Sequence, residues 1–338
     1  MSQFPDFTIA LPVYNGGPFL KACIESILTQ SYPYFILQVY NSFDNDDGST
    51  EYLNSLTDER LQILQADRKL SIEENWGRFK DSFNTEFGTI IGQDDLLNPD
   101  FLVEMKKLIA EYPGASLWHS HYNIIDATNA ILETSKPLPK SETLSEYIRA
   151  ILTVSAETVG TGYVFRCSQY KQIGGIQAFQ DLLFADFALW IQLTSFGYKV
   201  NSPDILYSFR IHQSTTSRAS PRRYFNGFTS FIKFLLNQAE ANEEIRQCII
   251  SDINAFLVYY AEVISLRIIK SRNQQKEQAR ITVQEVLNYC KQISIEAGKI
   301  DPPRFTYKTK LAAKIDKHFF LKKAFVIFKK IYPNPILR

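Results

Sequence analysis

The chain has 338 residues, roughly two domains' worth, and is apolar enough, with 25 Phe and 18 Tyr, to bury a real core. Its formal net charge of +1 excludes a molecule built as a whole for binding nucleic acid.

Phe7 to Val13 is a nearly continuous apolar run and predicts a strand. Pro18 to Gln30 predicts a helix, with Leu20, Ile24, Ile27 and Leu28 on one face. Phe35 to Tyr40 predicts a second strand, followed by an acidic loop, and Leu61 to Leu64 a short third. Ser71 to Phe83 has Ile72, Trp76, Phe79 and Phe83 at helical spacing. Phe87 to Ile91 predicts a strand, Asn98 to Glu111 a helix, and Ala115 to Tyr122 another strand. Such alternation argues an α/β fold with a mostly parallel sheet and helices on both faces. In the mixed middle region, Thr161 to Arg166 and Ile205 to His212 read as strands and Phe184 to Phe196 as a helix. Helices then follow over Tyr224 to Gln238, Asn242 to Ser271, Gln275 to Ala297 and Lys308 to Ile331. The boundary is expected near residue 220, with an α/β domain before it and a helical region after it. The N-terminus lacks a signal-peptide pattern, and no run of ~18 apolar residues predicts a spanning helix. The four cysteines are far apart and form no CxxC, so reduced thiols in a cytoplasmic protein are expected.

Ligands in such sheets bind outside the carboxyl ends of the strands. Asn15, the loop from Asn41 to Ser49, and Asp94-Asp95 all fall at such ends. The acid pair follows the apolar run Phe87 to Ile91, and Asn98-Pro99 is suited to start a helix. Two carboxylates there make a hard oxygen site for Mg²⁺ or Mn²⁺. The bland alternative is a solvated loop before a helix. The chain has no P-loop, no GxGxxG after a strand, no GxSxG and no HExxH.

Five segments in this order resemble the inverting family 2 glycosyltransferases of the GT-A fold. They are Leu11 to Pro33, the DDGST of Asp46 to Thr50, the GQDD of Gly92 to Asp95, Gly174 to Gly197, and Leu206 to Ser217. The similarity covers about Phe7 to Ser217. It implies a nucleotide-diphospho-sugar transferase fold with a helical C-terminal extension. Pro12, Val13, Tyr14 and Asn15 would form the floor of a pocket for a uracil-like base. The acid that pairs with the base falls at Asp46 or Asp47 by literal match. Counting from the strand end gives Asn41 instead, with Asp44 in the following loop, so Asn41, Asp44 and Asp46 are all candidates. Asn75 would touch the donor, and Arg210 would meet a phosphate or pair with an acid. The metal ligands would be Asp94, Asp95 and His212, although Gly92 stands where many relatives carry a further Asp. Asp186 would be the catalytic base, with Asp181 as the fallback, although Ala185 replaces the usual Glu. No QxxRW follows that helix, which argues against a processive synthase.

The resemblance therefore implies a metal-dependent, inverting, non-processive transfer of one sugar. The donor would be UDP-linked or related, and the acceptor a hydroxyl of a glycan or lipid-linked intermediate in surface polysaccharide synthesis. A rival is a non-catalytic sugar-nucleotide-binding or assembly protein that keeps the fold. A sugar-nucleotidyltransferase fits less well, because the Gly-rich basic triphosphate loop is missing. His119 and His121 read as structural. From Arg304 to Arg338 there are ten Lys or Arg and one acid, Asp316. These lysines interleave with phenylalanines, and a wheel drawn over Lys308 to Ile331 does not divide them. The mixture suits an anionic membrane surface, or else a docked helix with snorkelling lysines. No nucleic-acid module accompanies the charge.

Overall fold

The computed structural model describes residues 5–43, 47–156, 158–212, 219–271 and 280–331. Asp44 and Asp46 lie outside the described residues. By its internal contacts the chain divides into two units, 1–147 with 157–214, and 148–156 with 215–338.

The first unit is built on a ten-stranded sheet. Its strands are β1 (Phe7–Val13), β2 (Phe35–Asn41), β3 (Leu61–Ile63), β4 (Phe87–Ile90), β5 (Leu96–Leu97), β6 (Leu117–Ile125), β7 (Ile131–Thr134), β8 (Ser141–Glu142), β9 (Val164–Arg166) and β10 (Lys199–Arg210). The order is β3-β2-β1-β4-β9-β6-β10-β5, with β7 on β6 and β8 on β10. β1, β2, β3 and β4 pair in parallel, as do β6 and β10. β9 runs antiparallel between β4 and β6, and β5, β7 and β8 are antiparallel to their partners, so the sheet is mixed rather than mostly parallel. β1 is buried along its whole length, which explains its nearly continuous apolar sequence. The helix α1 (Gly17–Leu28) buries Leu20, Cys23, Ile24 and Ile27 in the same core.

Several elements differ from their predicted bounds. Ser71 to Phe83 is α3 (Ile72–Gly77) followed by a 3₁₀ turn, Arg78–Asp81, with α2 (Ser49–Asn54) preceding both. Ser71 and Glu74 close a capping box on α3. The helix expected from Asn98 begins later, as α4 (Phe101–Glu111), because Leu96–Leu97 first pair with Ser208 and Tyr207 of β10. Gln30 then ties the chain: its amide donates to the Asn98 carbonyl and its oxygen accepts from the Leu102 amide. Two further helices, α5 (Leu144–Leu152) and α6 (Cys167–Gln172), follow along the chain.

The second unit is helical. Pro221–Ala241 starts on a Ser220 cap, and Glu243–Lys270 starts on Asn242, whose side chain accepts from two helix amides. Val283–Glu296 follows, on a capping box from Thr282 and Glu285. The 28-residue helix Glu243–Lys270 is long and apolar enough to cross a membrane by length and composition, contrary to the sequence expectation of no such segment. Ile245, Ile249, Ile253, Phe256, Ile264 and Ile268 are all buried at helical spacing, which is the pattern of a core helix. Arg149 reaches Asp252 at 3.3 Å, so the segment 148–156 belongs with these helices rather than before the expected boundary. The single basic helix expected over Lys308 to Ile331 is two helices, Tyr307–Lys317 and Phe319–Ile331, parted at His318.

Candidate functional site

β1 ends at Val13, where Pro12 and Val13 are buried and paired with β2. Their side chains are closed to a ligand. Tyr14 and Asn15 emerge beyond the strand, Tyr14 with 43% of its surface exposed. Asn15 adopts a left-handed backbone (φ 48°) that turns the chain into α1. The Gln93 side-chain amide grips Tyr14 from both sides. Its oxygen accepts from the Tyr14 amide and its NH₂ donates to the Tyr14 carbonyl, each at 2.9 Å. What Tyr14 offers is therefore its ring, and the Lys69 ammonium lies 5.0 Å from the ring centre.

Past β2, the acidic loop holds the turn before α1. Asp47 accepts from the Gly17 amide at 2.7 Å and from the Ser49 amide at 3.1 Å. Burial pushes the Asp47 carboxyl up, but the hydrogen bonds from Ser49 and Gly17 outweigh it and hold it below the usual range. Asn41 is fully buried, donating to Gln65 at 2.8 Å and to Thr50 at 3.1 Å. Asn75 was expected to touch the donor. Instead it is buried, donates to the Tyr40 carbonyl and accepts from Arg78. Arg78 also donates to the carbonyls of Asn41 and Leu64, which ties α3 to the ends of β2 and β3.

Beyond β4, the two acids have different surroundings. Asp95 is buried, and both its oxygens are engaged. One accepts from the Thr161 hydroxyl at 2.6 Å and the other from the Arg210 amide at 2.9 Å. Burial, with the Asp94 charge nearby, raises its carboxyl well above the usual carboxylate range. Asp95 anchors the turn and is not placed to ligate a metal, contrary to expectation. Thr161 also accepts from the Gly92 amide, locking the same turn. Gly162, beside it, has φ 84°, and a Cβ there would lie 2.3 Å from the Tyr207 ring, so only Gly fits.

Asp94 is partly open, and its carboxylate meets His212 Nε2 at 2.5 Å. Arg210 is buried and donates to the carbonyls of Asp94 and Asp126, both at 2.6 Å, with its guanidinium over Phe19. It shapes the Asp94 loop rather than facing a phosphate, contrary to the donor-binding expectation. No cluster of three His, Cys, Asp or Glu is assembled among the described residues. Asp94 and His212 together supply one carboxylate and one imidazole. That set suits a hard divalent cation that takes its remaining ligands from phosphates and water.

Asp186 lies in the first turn of α7 (Ala185–Thr194). The stretch leading into α7 is tied through Asp181 to Glu73 of α3, and α3 is itself tied through Asn75 to Tyr40 near the end of β2. One Asp186 oxygen accepts the Phe187 amide at 3.0 Å. The side chain is half-buried, and desolvation pushes the carboxyl up to about 6. The approach to α7 is strained: Asp181, Leu182 and Phe184 all have φ between 54° and 66°. Left-handed non-Gly residues cost about 1–3 kcal/mol each and concentrate at functional sites. Glu73 fixes the start of this stretch by accepting the Asp181 amide at 2.6 Å. Asp181 is buried, whereas Asp186 is the more open acid.

His119 and His121 take structural places. His119 is buried, stacks on Tyr163 and bonds the Tyr207 hydroxyl at 2.8 Å, and burial holds it neutral. His121 bonds the Ser135 hydroxyl at 2.9 Å. Gln93, Arg78 and Glu73 make contacts that sequence reading missed, and Asp47 is one it did not settle on; Thr161, which with Gly162 reads in the sequence as a flank of the acceptor cleft, braces Asp95. Of the first four, only Asp47, inside DDGST, carried a local signal.

A family model described as Glycosyl transferase family 2 matches residues 8–173. Glycosyltransferase GlyA of Streptococcus pneumoniae serotype 4 is 32% identical over 123 residues, 34% of this chain and 17% of that protein. An uncharacterized glycosyltransferase of Rickettsia conorii is 22% identical over 305 residues, 84% of this chain and 46% of that protein. The chain thus spans less than half the length of these curated relatives. Among solved structures, S. aureus TarS 1–349 in complex with UDP-GlcNAc superposes with TM-score 0.66 at 14% identity, over 96% of this chain and 88% of that one. The mannosyltransferase PcManGT of Pyrobaculum calidifontis, in complex with GDP-Man and Mn²⁺, superposes with TM-score 0.52 at 12% identity, over 97% and 89%. The sheet and its flanking helices are GT-A-like.

Proposed function

We propose, from the match of residues 8–173 to the family 2 glycosyltransferases, that this chain transfers one sugar from a nucleotide-diphosphate donor to an acceptor hydroxyl, with inversion at the anomeric carbon. One observation carries the reading. The Gln93 side chain grips the Tyr14 main chain just beyond β1, and the next residue is Asp94, so the exposed Tyr14 and the part-open Asp94 lie on chain segments tied together past the ends of β1 and β4. The ring suits stacking on a base, and a carboxylate paired with an imidazole suits a cation that carries phosphates. The neighbours solved with UDP-GlcNAc and with GDP-Man support a nucleotide-sugar donor.

Asp94 and His212 would hold Mg²⁺ or Mn²⁺. When bound, the ion would neutralise the charge that builds on the departing diphosphate. Asp186 removes the proton from the acceptor hydroxyl. The hydroxyl oxygen then forms its bond to C1 as the C1–O bond to the diphosphate breaks, and the nucleoside diphosphate leaves on the opposite face. A carboxyl near 6 is a better proton acceptor than an ordinary Asp and is still ionised at neutral pH. Asp95, Thr161 and Arg210 hold the Asp94 turn in place without touching the donor. The acceptor is a glycan or lipid-linked hydroxyl, consistent with a role in surface polysaccharide synthesis. The setting is cytoplasmic, in keeping with four free, buried thiols.

The test is to incubate the protein with a panel of sugar nucleotides, Mn²⁺ and simple acceptors, and to read the product by NMR. Transfer with inverted anomeric configuration is expected. Tight nucleotide binding with no transfer across the panel would favour the non-catalytic binder instead.

A further inference from the structure

The break at His318 separates two faces that a single helix blurred. In Phe319–Ile331, Phe320, Ala324 and Ile327 recur at i, i+4 and i+7 and all are exposed, with Leu321 beside them. Phe320 is 83% exposed and Leu321 and Ile327 about half. Phe319, 61% exposed, lies at the start of the helix. The inward side carries Lys322, which reaches the buried Asp316 at 3.0 Å. Phe325 and Val326 are half-buried on the same side as Lys322, so the helix carries apolar residues inward and a second apolar stripe outward. Lys323 is exposed at the edge of the stripe, and Lys310, Lys314 and Lys317 are exposed on the preceding helix.

We propose that the Phe319–Ile331 helix lies in the plane of an anionic bilayer surface, with Phe320, Leu321, Ala324 and Ile327 entering the headgroup boundary and the lysines on anionic headgroups. Thirteen residues at ~1.5 Å each make about 20 Å, too short for a hydrocarbon core of ~30 Å, so the helix lies flat instead of spanning. An apolar face rimmed by lysines is the composition of interfacial helices. The excess of ten basic residues over one acid from Arg304 to Arg338 complements anionic lipid. A second copy would set these lysines against their own equivalents, which repel. The inference stands apart from the sugar-transfer reading and survives its failure.

The full chain is to be sedimented with phosphatidylcholine vesicles, with and without phosphatidylglycerol. Binding to the anionic vesicles is expected, falling as salt rises, because exposed charges are screened over about 8 Å at physiological ionic strength. The variant Phe320→Glu/Ile327→Glu should bind at least tenfold more weakly. Both side chains are exposed, so its melting temperature should be unchanged. Lys314→Gln/Lys317→Gln/Lys323→Gln should lose about a hundredfold on anionic vesicles, at about fivefold per lysine. Equal binding of all three proteins to anionic vesicles would overturn the proposal. So would an absence of vesicle binding together with a dimer, seen by light scattering, that Phe320→Glu dissolves.

Discussion

Asp186→Asn keeps the shape of the side chain and its hydrogen bond from the Phe187 amide but removes the proton acceptor. Loss of a general base costs about 10²–10⁴ in rate, or roughly 3–5 kcal/mol of barrier. The proposed donor site is formed by other residues, so the donor KM should change little while kcat collapses. The raised carboxyl adds a pH signature. With Asp186 titrating near 6, wild-type kcat/KM should fall tenfold per unit below pH 6, where an ordinary Asp would hold its rate to about pH 4. The same shift has a stability consequence. Between about pH 4 and 6 the folded state binds a proton that the unfolded state does not, so wild-type stability falls as pH rises through that window. Above it, the folded protein carries the cost of a desolvated carboxylate that Asn lacks. The variant should therefore melt above wild type at pH 8, with the gap closing toward pH 4. The assay is nucleoside diphosphate release with a matched donor and acceptor across pH, alongside calorimetric melting. Full transfer activity in Asp186→Asn would refute the assignment and promote Asp181, as would a wild-type acid limb near pH 4.

Asp94→Asn should abolish the Mn²⁺ dependence of nucleoside diphosphate binding while leaving the fold intact, as checked by titration and circular dichroism. Gln93→Ala removes both hydrogen bonds on the Tyr14 backbone, each worth about 0.5–1.5 kcal/mol, and should weaken nucleotide binding roughly tenfold without moving the Mn²⁺ midpoint. A shifted Mn²⁺ midpoint would place Gln93 in the metal site instead. Lys199 and Glu142 form a buried ion pair at 2.7 Å, so Lys199→Met should destabilise the protein by about 3–5 kcal/mol in urea unfolding.

The spine of the first unit was legible because its signals are local. β1 and β4 are short, mostly apolar runs, and α1 and α7 carry apolar residues at helical spacing. What escaped depends on partners far along the chain. Leu96–Leu97 form a strand only because β10 lies beside them. Thr161 matters because it reaches Asp95, 66 residues away, and Gln93 because it reaches Tyr14, 79 residues away. Arg210 and Asn75 have the chemistry to meet a donor, but the fold uses them on main-chain carbonyls. The Asp94-Asp95 pair reads as two equivalent ligands in sequence. Burial separates them, leaving Asp94 open and Asp95 committed to Thr161 and Arg210. The last helix could not be resolved from its sequence because neither Pro nor Gly marks the break at His318.

The most direct measurement is a calorimetric titration of the wild-type protein with nucleoside diphosphates, with and without Mn²⁺. The account predicts saturable binding of one nucleotide per chain that requires the ion and is lost in Asp94→Asn. No binding of any nucleoside diphosphate, or binding indifferent to both Mn²⁺ and Asp94, would contradict it.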